Sequence, residues 1–345
     1  MHVYRDIDVG RLQEILNRIG NVKAGLIGDI CLDIYWHADM RKSELSRETP
    51  HYPLPVMEER MSPGGGANVA ANMLALEPQY VEVFGAVGSD WRGRELIKLL
   101  ENLGIRISGV VADPNNFTNA YIKPIRKGYS DVEYEDPRLD FASHTPISPE
   151  MEDRIIAVID KKAGELDLLC VSDQLPFGVI TERIREYICK LAQQGLRVVA
   201  DSRDKIELFS GCTLKPNEME GVKASGLKMS KLNDVDDFSK AALMLSGKIC
   251  GGVFMTLGAK GSLYTDGVDV WHIPTGEIQS SIDICGAGDS SLSGFGLSLA
   301  AGADPLEAAY IAGLCSEVTI RQIGVTGTAS REQVLCRHHE NSRYI

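Results

Sequence analysis

Short apolar runs alternating with helix-spaced amphipathic segments constrain this chain more than any other feature of it. Residues 8–20 carry Val9, Leu12, Ile15, Leu16 and Ile19 at helical spacing, and the apolar run AGLIGD (24–29) follows at once. Further strand candidates are YVEVFGAVG (80–88), DLLCVSD (167–173), RVVADS (197–202) and GGVFMTLGAKG (251–261). Helix candidates fall between them: near Ala67–Leu76, through Leu96, Leu99, Leu100 and Leu103, from Val179 onward, and near Asp236–Leu245. Strands that are apolar throughout must be covered on both sides. The pattern therefore predicts an α/β fold, a mostly parallel sheet with helices on both faces. Ligands of such sheets sit beyond the carboxyl ends of the strands. That singles out the loops Gly28–Asp33, Gly64–Asn68, Asp201–Arg203, Lys215–Glu220, Thr256–Gly261 and Asp283–Asp289.

Two polar stretches interrupt the rhythm. Tyr35–Arg60 is charged and holds Pro50, Pro53 and Pro55, which suits an exposed loop and edge strand. Thr118–Phe141 is polar and β-leaning, and the two are expected to pair as a small β lid over one end of the sheet, inserted in a single domain spanning 1–345. A net charge of -12 argues against nucleic acid or a membrane surface as partner. The eight cysteines form no CxxC pair, the N-terminus has no apolar h-region, and no stretch suits a membrane span, so a reduced, cytoplasmic location is expected. Cys336, His338, His339 and Glu340 are metal-ligand types, but they read as part of a polar tail.

The segment with most chemistry in it is DICGAGDSSLSGF (283–295). Gly286, Ala287 and Gly288 let a phosphate approach the backbone, and the helical character that follows, through Leu299, puts this turn at a helix N-terminus, where free amides and the helix dipole favour anions. Asp289 comes next. A carboxylate beside an anion cradle needs a task, and the one available is to take the proton of an attacking hydroxyl; the plainer reading is an N-cap. In GGGAN, Gly65, Gly66 and Asn68 form either a ligand-contacting turn or a simple helix start. Asp33 offers lone pairs to a diol, whereas Asp29 reads equally as a loop brace.

Together these segments resemble the ribokinase-like (PfkB-type) carbohydrate kinases. DICGAGDSSLSGF is similar to that family's C-terminal Asp-Thr-Thr-Gly-Ala-Gly-Asp signature, with Cys285 in place of Thr or Val, and SPGGGANVAANMLAL (62–76) resembles its N-terminal Gly-Gly signature. The resemblance implies ATP and Mg²⁺ as cofactors and Asp289 as catalytic base, with Gly286, Ala287 and Gly288 beside the phosphate. It implies sugar contacts at Asp33, Gly65, Gly66 and Asn68. KPNEMEG (215–221) resembles the family's Asn-x-x-Glu motif, making Asn217 a nucleotide contact and Glu220 an organiser of Mg²⁺ through water. Thr256, Gly258 and Gly261 match the turn bordering the nucleotide, and Arg203 stands beside the phosphates. Asp283 falls where many members bind a monovalent cation such as K⁺; a loop brace is the alternative.

Within the family, GDICLDIYW, the segment leading to SPGGGANVA, and Arg138–Phe141 resemble the branch acting on D-glycero-D-manno-heptose 7-phosphate. The branch's Asp-Pro-Lys-Gly is Asp201-Ser202-Arg203-Asp204 here. The expected acceptor is a heptose 7-phosphate or related sugar phosphate, its second phosphate met by Arg138, Arg203, Lys123 or Arg126. Another sugar, a nucleoside, or a silent binding protein on the same scaffold are the alternatives. Family lids often pair across a dimer, so a homodimer through the lid is implied.

Overall fold

A computed structural model describes residues 1–130, 132–228 and 234–342. In the strand Lys23–Gly28 every residue after Lys23 is buried, and successive side chains enter different cores. Leu26 joins one apolar cluster and Ile27 the other. Leu168–Asp173 divides in the same way: Leu168 and Cys170 pack in the first cluster, Leu169 and Val171 in the second. This period-2 partition is what a sheet covered on both faces requires. Helices Val9–Ile19, Gly66–Ala75, Ala287–Ala300, Pro305–Thr319 and Arg331–Asn341 supply the first cluster. Pro149–Ala163, Glu182–Gln193 and Val235–Ile249 supply the second.

Among the described residues the main sheet has ten strands. Their spatial order is His2–Val3, Val270–Ile273, Ser262–Thr265, Val253–Thr256, Thr213–Leu214, Arg197–Ser202, Leu168–Asp173, Lys23–Gly28, Tyr80–Gly88 and Arg106–Asp113. Pairing is parallel except around Ser262–Thr265, which runs antiparallel to both neighbours. From Lys23–Gly28 the chain first builds outward through Tyr80–Gly88 and Arg106–Asp113. It then returns to add Leu168–Asp173 on the other side. The order reverses between Lys23–Gly28 and Leu168–Asp173, and a crevice is expected at such a switch point.

The second sheet is the lid. Ile30–Asp39 pairs antiparallel with Val56–Gly65 and parallel with Ala120–Lys127, which in turn pairs with Glu133–Glu135 and Leu139–Phe141. The lid strand begins at Ile30, five residues before the boundary the polar composition suggests (35 − 30 = 5). The reason is burial: Ile30, Leu32 and Ile34 are still in the core, and even Tyr35 is buried. Asp33 therefore stands on the lid strand and not at the end of the first strand. The segment read as a polar tail is the helix Arg331–Asn341, with Val334 and His338 buried. His338 Nδ1 lies 3.1 Å from the Tyr310 hydroxyl and Glu340 pairs with Arg321 and Arg337, so these side chains serve packing. All eight cysteines are free, and among the described residues no helix is long and apolar enough to cross a membrane.

Candidate active site

The turn before Ala287–Ala300 is held open by Asp283. Its carboxylate accepts from the Cys285 amide at 3.0 Å and the Gly324 amide at 3.1 Å, and its own amide donates to the Ile320 carbonyl at 2.8 Å. Gly286 then caps the helix with φ 82°, a left-handed conformation that an L side chain rarely adopts. No side chain caps this end, and the Ala287 amide is taken up by the Ile284 carbonyl at 3.2 Å, so the next amides, those of Gly288 and Asp289, are the ones open to an anion. Asp289 sits in the first turn but does not cap it; its Oδ2 accepts a 2.6 Å bond from Asn68 Nδ2. Burial pushes the Asp289 carboxyl up to about 6. The Asn68 bond and the Lys215 ammonium oppose that rise, while Asp201 and Asp33 add to it.

Asn68 reaches this carboxylate because of the Gly65–Gly66 turn. Gly65 adopts φ 54°, and a Cβ there would stand 2.6 Å from the Asp29 carbonyl, which accepts from the Gly66 amide at 2.8 Å. Asn72 Nδ2 then fixes Asn68, donating to its carbonyl at 3.0 Å and its side-chain oxygen at 3.3 Å. Asp29 itself braces the switch point. It accepts from the amides of Gln174, Leu175 and Val179 at 2.9, 2.8 and 2.7 Å, yet burial still lifts its carboxyl to about 6.

Asp33 packs beneath Gly64. Burial raises its carboxyl to about 6 as well, against the pull of three lid cations, Lys123, Arg138 and Arg60. Lys123 Nζ donates to the Tyr35 hydroxyl at 3.4 Å, and Arg60 stacks 4.0 Å over the Tyr35 ring while bonding the Gly324 carbonyl at 2.9 Å. The lid thus touches the loop that Asp283 braces. Arg138 is bidentate on Asp140 at 2.6 and 2.7 Å and lies 4.2 Å over Tyr121, while Arg126 is paired with Asp136 at 2.7 Å.

On the opposite side, Asn217 and Glu220 form a reciprocal capping box at the start of Glu218–Ser225, with two 2.9 Å bonds. Thr256 bridges to Asn217 and donates its amide to the Pro216 carbonyl at 2.9 Å, bringing those two candidates together. Gly258 opens the short 3₁₀ turn Gly258–Lys260, and the Gly261 carbonyl closes it by accepting from Leu257 at 2.8 Å. Arg203 is exposed at the end of Arg197–Ser202, its amide on the Asp173 carbonyl at 3.0 Å. Its charge reaches Glu220 and Tyr121.

One neighbour was not read as a site residue from the sequence. Lys215 is 3% exposed, and its Nζ donates to Asp201 Oδ2 at 2.6 Å. A Cβ built on Gly288 would lie 3.6 Å from that nitrogen, so the ammonium overlooks the turn that carries Asp289. The available signal was a lysine beside a proline at a strand end. Burial and then the Asp201 charge raise the Glu220 carboxyl, against the Asn217 amide bond and the charges of Lys215 and Arg203. Among the described residues no three His, Cys, Asp or Glu side chains form a metal cage, so a cation here depends on water and phosphate oxygens, as Mg²⁺ usually does.

Comparison with known proteins follows the same lines. The bifunctional protein HldE of Geotalea uraniireducens is 30% identical over 94% of this chain, which spans 64% of that relative's length. The fold matches phosphofructokinase-2 from Escherichia coli at 20% identity in its complex with potassium (TM-score 0.74) and at 21% in its complex with fructose-6-phosphate (TM-score 0.72). Each alignment covers 93% of this chain and 100% of the other. The pfkB family carbohydrate kinase model matches residues 30–332. The chain belongs to that family, whose members are phosphotransferases acting on a sugar hydroxyl.

Proposed function

We propose that this chain is an ATP-dependent sugar kinase in which Asp289 is the general base and the acceptor is a heptose 7-phosphate or closely related sugar phosphate. The observation that carries the base is the placement of Asp289: a carboxylate in the first turn of a helix whose amides await an anion, steered by Asn68 and with its proton affinity raised. Asp289 takes the hydroxyl proton as the sugar oxygen bonds to the γ-phosphorus. The bond from that phosphorus to the β,γ-bridging oxygen breaks, and its electron pair leaves with ADP. Gly286, Ala287 and Gly288 receive the transferring phosphoryl group, Asp33, Gly65, Gly66 and Asn68 hold sugar hydroxyls, and Arg203, Asn217, Thr256, Gly258 and Gly261 border the nucleotide. Glu220 would hold Mg²⁺ through water; the ion, when bound, neutralises charge on the β- and γ-phosphate oxygens.

Three cations around Asp33 support a phosphorylated acceptor, because a free sugar has nothing to set against them. Of the four cations expected from sequence, Lys123 comes first, since Arg138 is already engaged by Asp140, Arg126 by Asp136, and Arg203 is exposed. Similarity to the HldE relatives supports the heptose reading of the acceptor. Release of ADP across a panel of sugars, sugar phosphates and nucleosides tests the reading. A preference for free ribose, fructose or a nucleoside would remove the heptose assignment alone; silence across the panel would remove the kinase assignment. We further place K⁺ at the Asp283 turn, using oxygen lone pairs left by its two amide bonds. The same assay in potassium and in tetramethylammonium at equal ionic strength checks that placement, and equal rates would reject it.

A further inference from the structure

Lys215 poses a physical problem that its ion pair with Asp201 does not solve. A buried ammonium carries three donors and a desolvation cost of several kcal/mol, and the pair satisfies one of those donors. The charge also stands over Gly288 at the amino end of Ala287–Ala300, where the helix dipole is itself positive. The helix end opposes a cation there, and an anion between the two would relieve that repulsion. Burial works against the charged form, yet Asp201, Glu220 and Asp289 together keep the ammonium protonated. The Lys215 amide is tied to the Ala200 carbonyl at 2.8 Å, so the backbone that carries the ammonium is anchored.

We propose that Lys215 is a catalytic residue whose ammonium turns from Asp201 onto the oxygens of the phosphoryl group in transfer. This rests on the kinase reading above. Lys215 keeps its protons throughout: the hydroxyl proton goes to Asp289, the new bond joins the sugar oxygen to the γ-phosphorus, and ADP leaves with the electron pair. Asp201 is the resting counter-ion that keeps the ammonium in place between turnovers.

The test uses the full chain as Lys215→Gln, Lys215→Arg, Asp201→Asn and the double Lys215→Gln/Asp201→Asn. Loss of one preorganised donor at a developing charge predicts that Lys215→Gln lowers kcat about 10²–10³-fold, with the acceptor KM little changed. Arg at 215 should restore part of that loss. Asp201→Asn keeps the ammonium but removes its counter-ion, and should lower turnover by less than Lys215→Gln does. The double variant leaves no lone buried charge, so its Tm should stay near wild type while its turnover stays low. Displacement of a fluorescent nucleotide should show ATP affinity falling more than ADP affinity in Lys215→Gln, since only ATP carries the γ-phosphate. That arm reads on Lys215 even if no acceptor turns over, which separates failure of this inference from failure of the kinase reading. A folded double variant with near-wild-type turnover, or equal losses of ATP and ADP affinity, would overturn the proposal.

Discussion

At Asp289 burial and hydrogen bonding pull in opposite directions, and the balance can be measured. Replacement by Asn keeps the shape and the bonding partner but removes the base, so kcat should fall about 10²–10⁴-fold while ATP still binds; near-wild-type turnover in Asp289→Asn would exclude it as the base. With its carboxyl raised to about 6, Asp289 is ionised at pH 7 and protonated below pH 6. A base must be ionised, so kcat/KM should hold near neutrality and fall as pH drops through about 6. Asn68 favours the ionised form, and Asn68→Ala should therefore move the acid limb to higher pH. A limb that stays put or moves the other way would show that another group sets the profile. That Asp289 stands at a helix start was legible in the sequence because glycines mark the turn. Asn68 was also named from sequence, but its bond to Asp289 was not, since the two lie 221 residues apart and only the fold joins them. Lys215 was harder still: a lysine is ordinarily solvated, and what buries this one is a carboxylate on the neighbouring strand.

Among the elements, continuous apolar runs announced themselves, and RVVADS and YVEVFGAVG coincide with their strands. Arg106–Asp113 did not, because it is the edge strand and alternates buried with exposed residues in a short, mixed sequence. Pro149–Ala163 went unread although Met151, Ile155 and Ile159 carry the i, i+4, i+8 spacing of a buried helix face. The Asn217–Glu220 spacing is also that of a helix cap, and the reciprocal capping box is formed. The lid is where an element makes a functional prediction. Lys123 comes from Ala120–Lys127 and leads the cations acting on Asp33. A charge-assisted bond to phosphate is worth about 1.5–3 kcal/mol, so Lys123→Met should shrink the kcat/KM advantage of a sugar phosphate over its free sugar about ten- to a hundredfold. Free-sugar turnover should change far less. An undiminished advantage would move the phosphate contact elsewhere.

For the whole molecule, sheet order and switch point follow from alternation and right-handed crossovers, and the site falls where that topology puts it. Assembly does not follow from alternation, because it depends on what a surface leaves uncovered. The lid is a five-stranded sheet among the described residues, joined to the body through Ile30–Asp39 and Val56–Gly65. Val56, Met57, Tyr134 and Leu139 on its strands are 43%, 54%, 57% and 46% exposed, and Leu54 beside them is 37% exposed. A small sheet with apolar side chains in water is poorly stabilised without a second layer. A second lid is self-complementary in the way a two-fold interface requires. A homodimer joined through the lids is therefore expected, with light scattering at micromolar concentration giving twice the chain mass. Met57→Glu should shift that mass toward the single chain while the main sheet, which shares no core with Met57, keeps its thermal transition. It should also lower turnover, since the strand that bears Met57 runs on to Arg60, Gly64 and Gly65. A wild-type chain that scatters as a monomer would reject the dimer. Met57→Glu that remains dimeric would place the contact away from the lid.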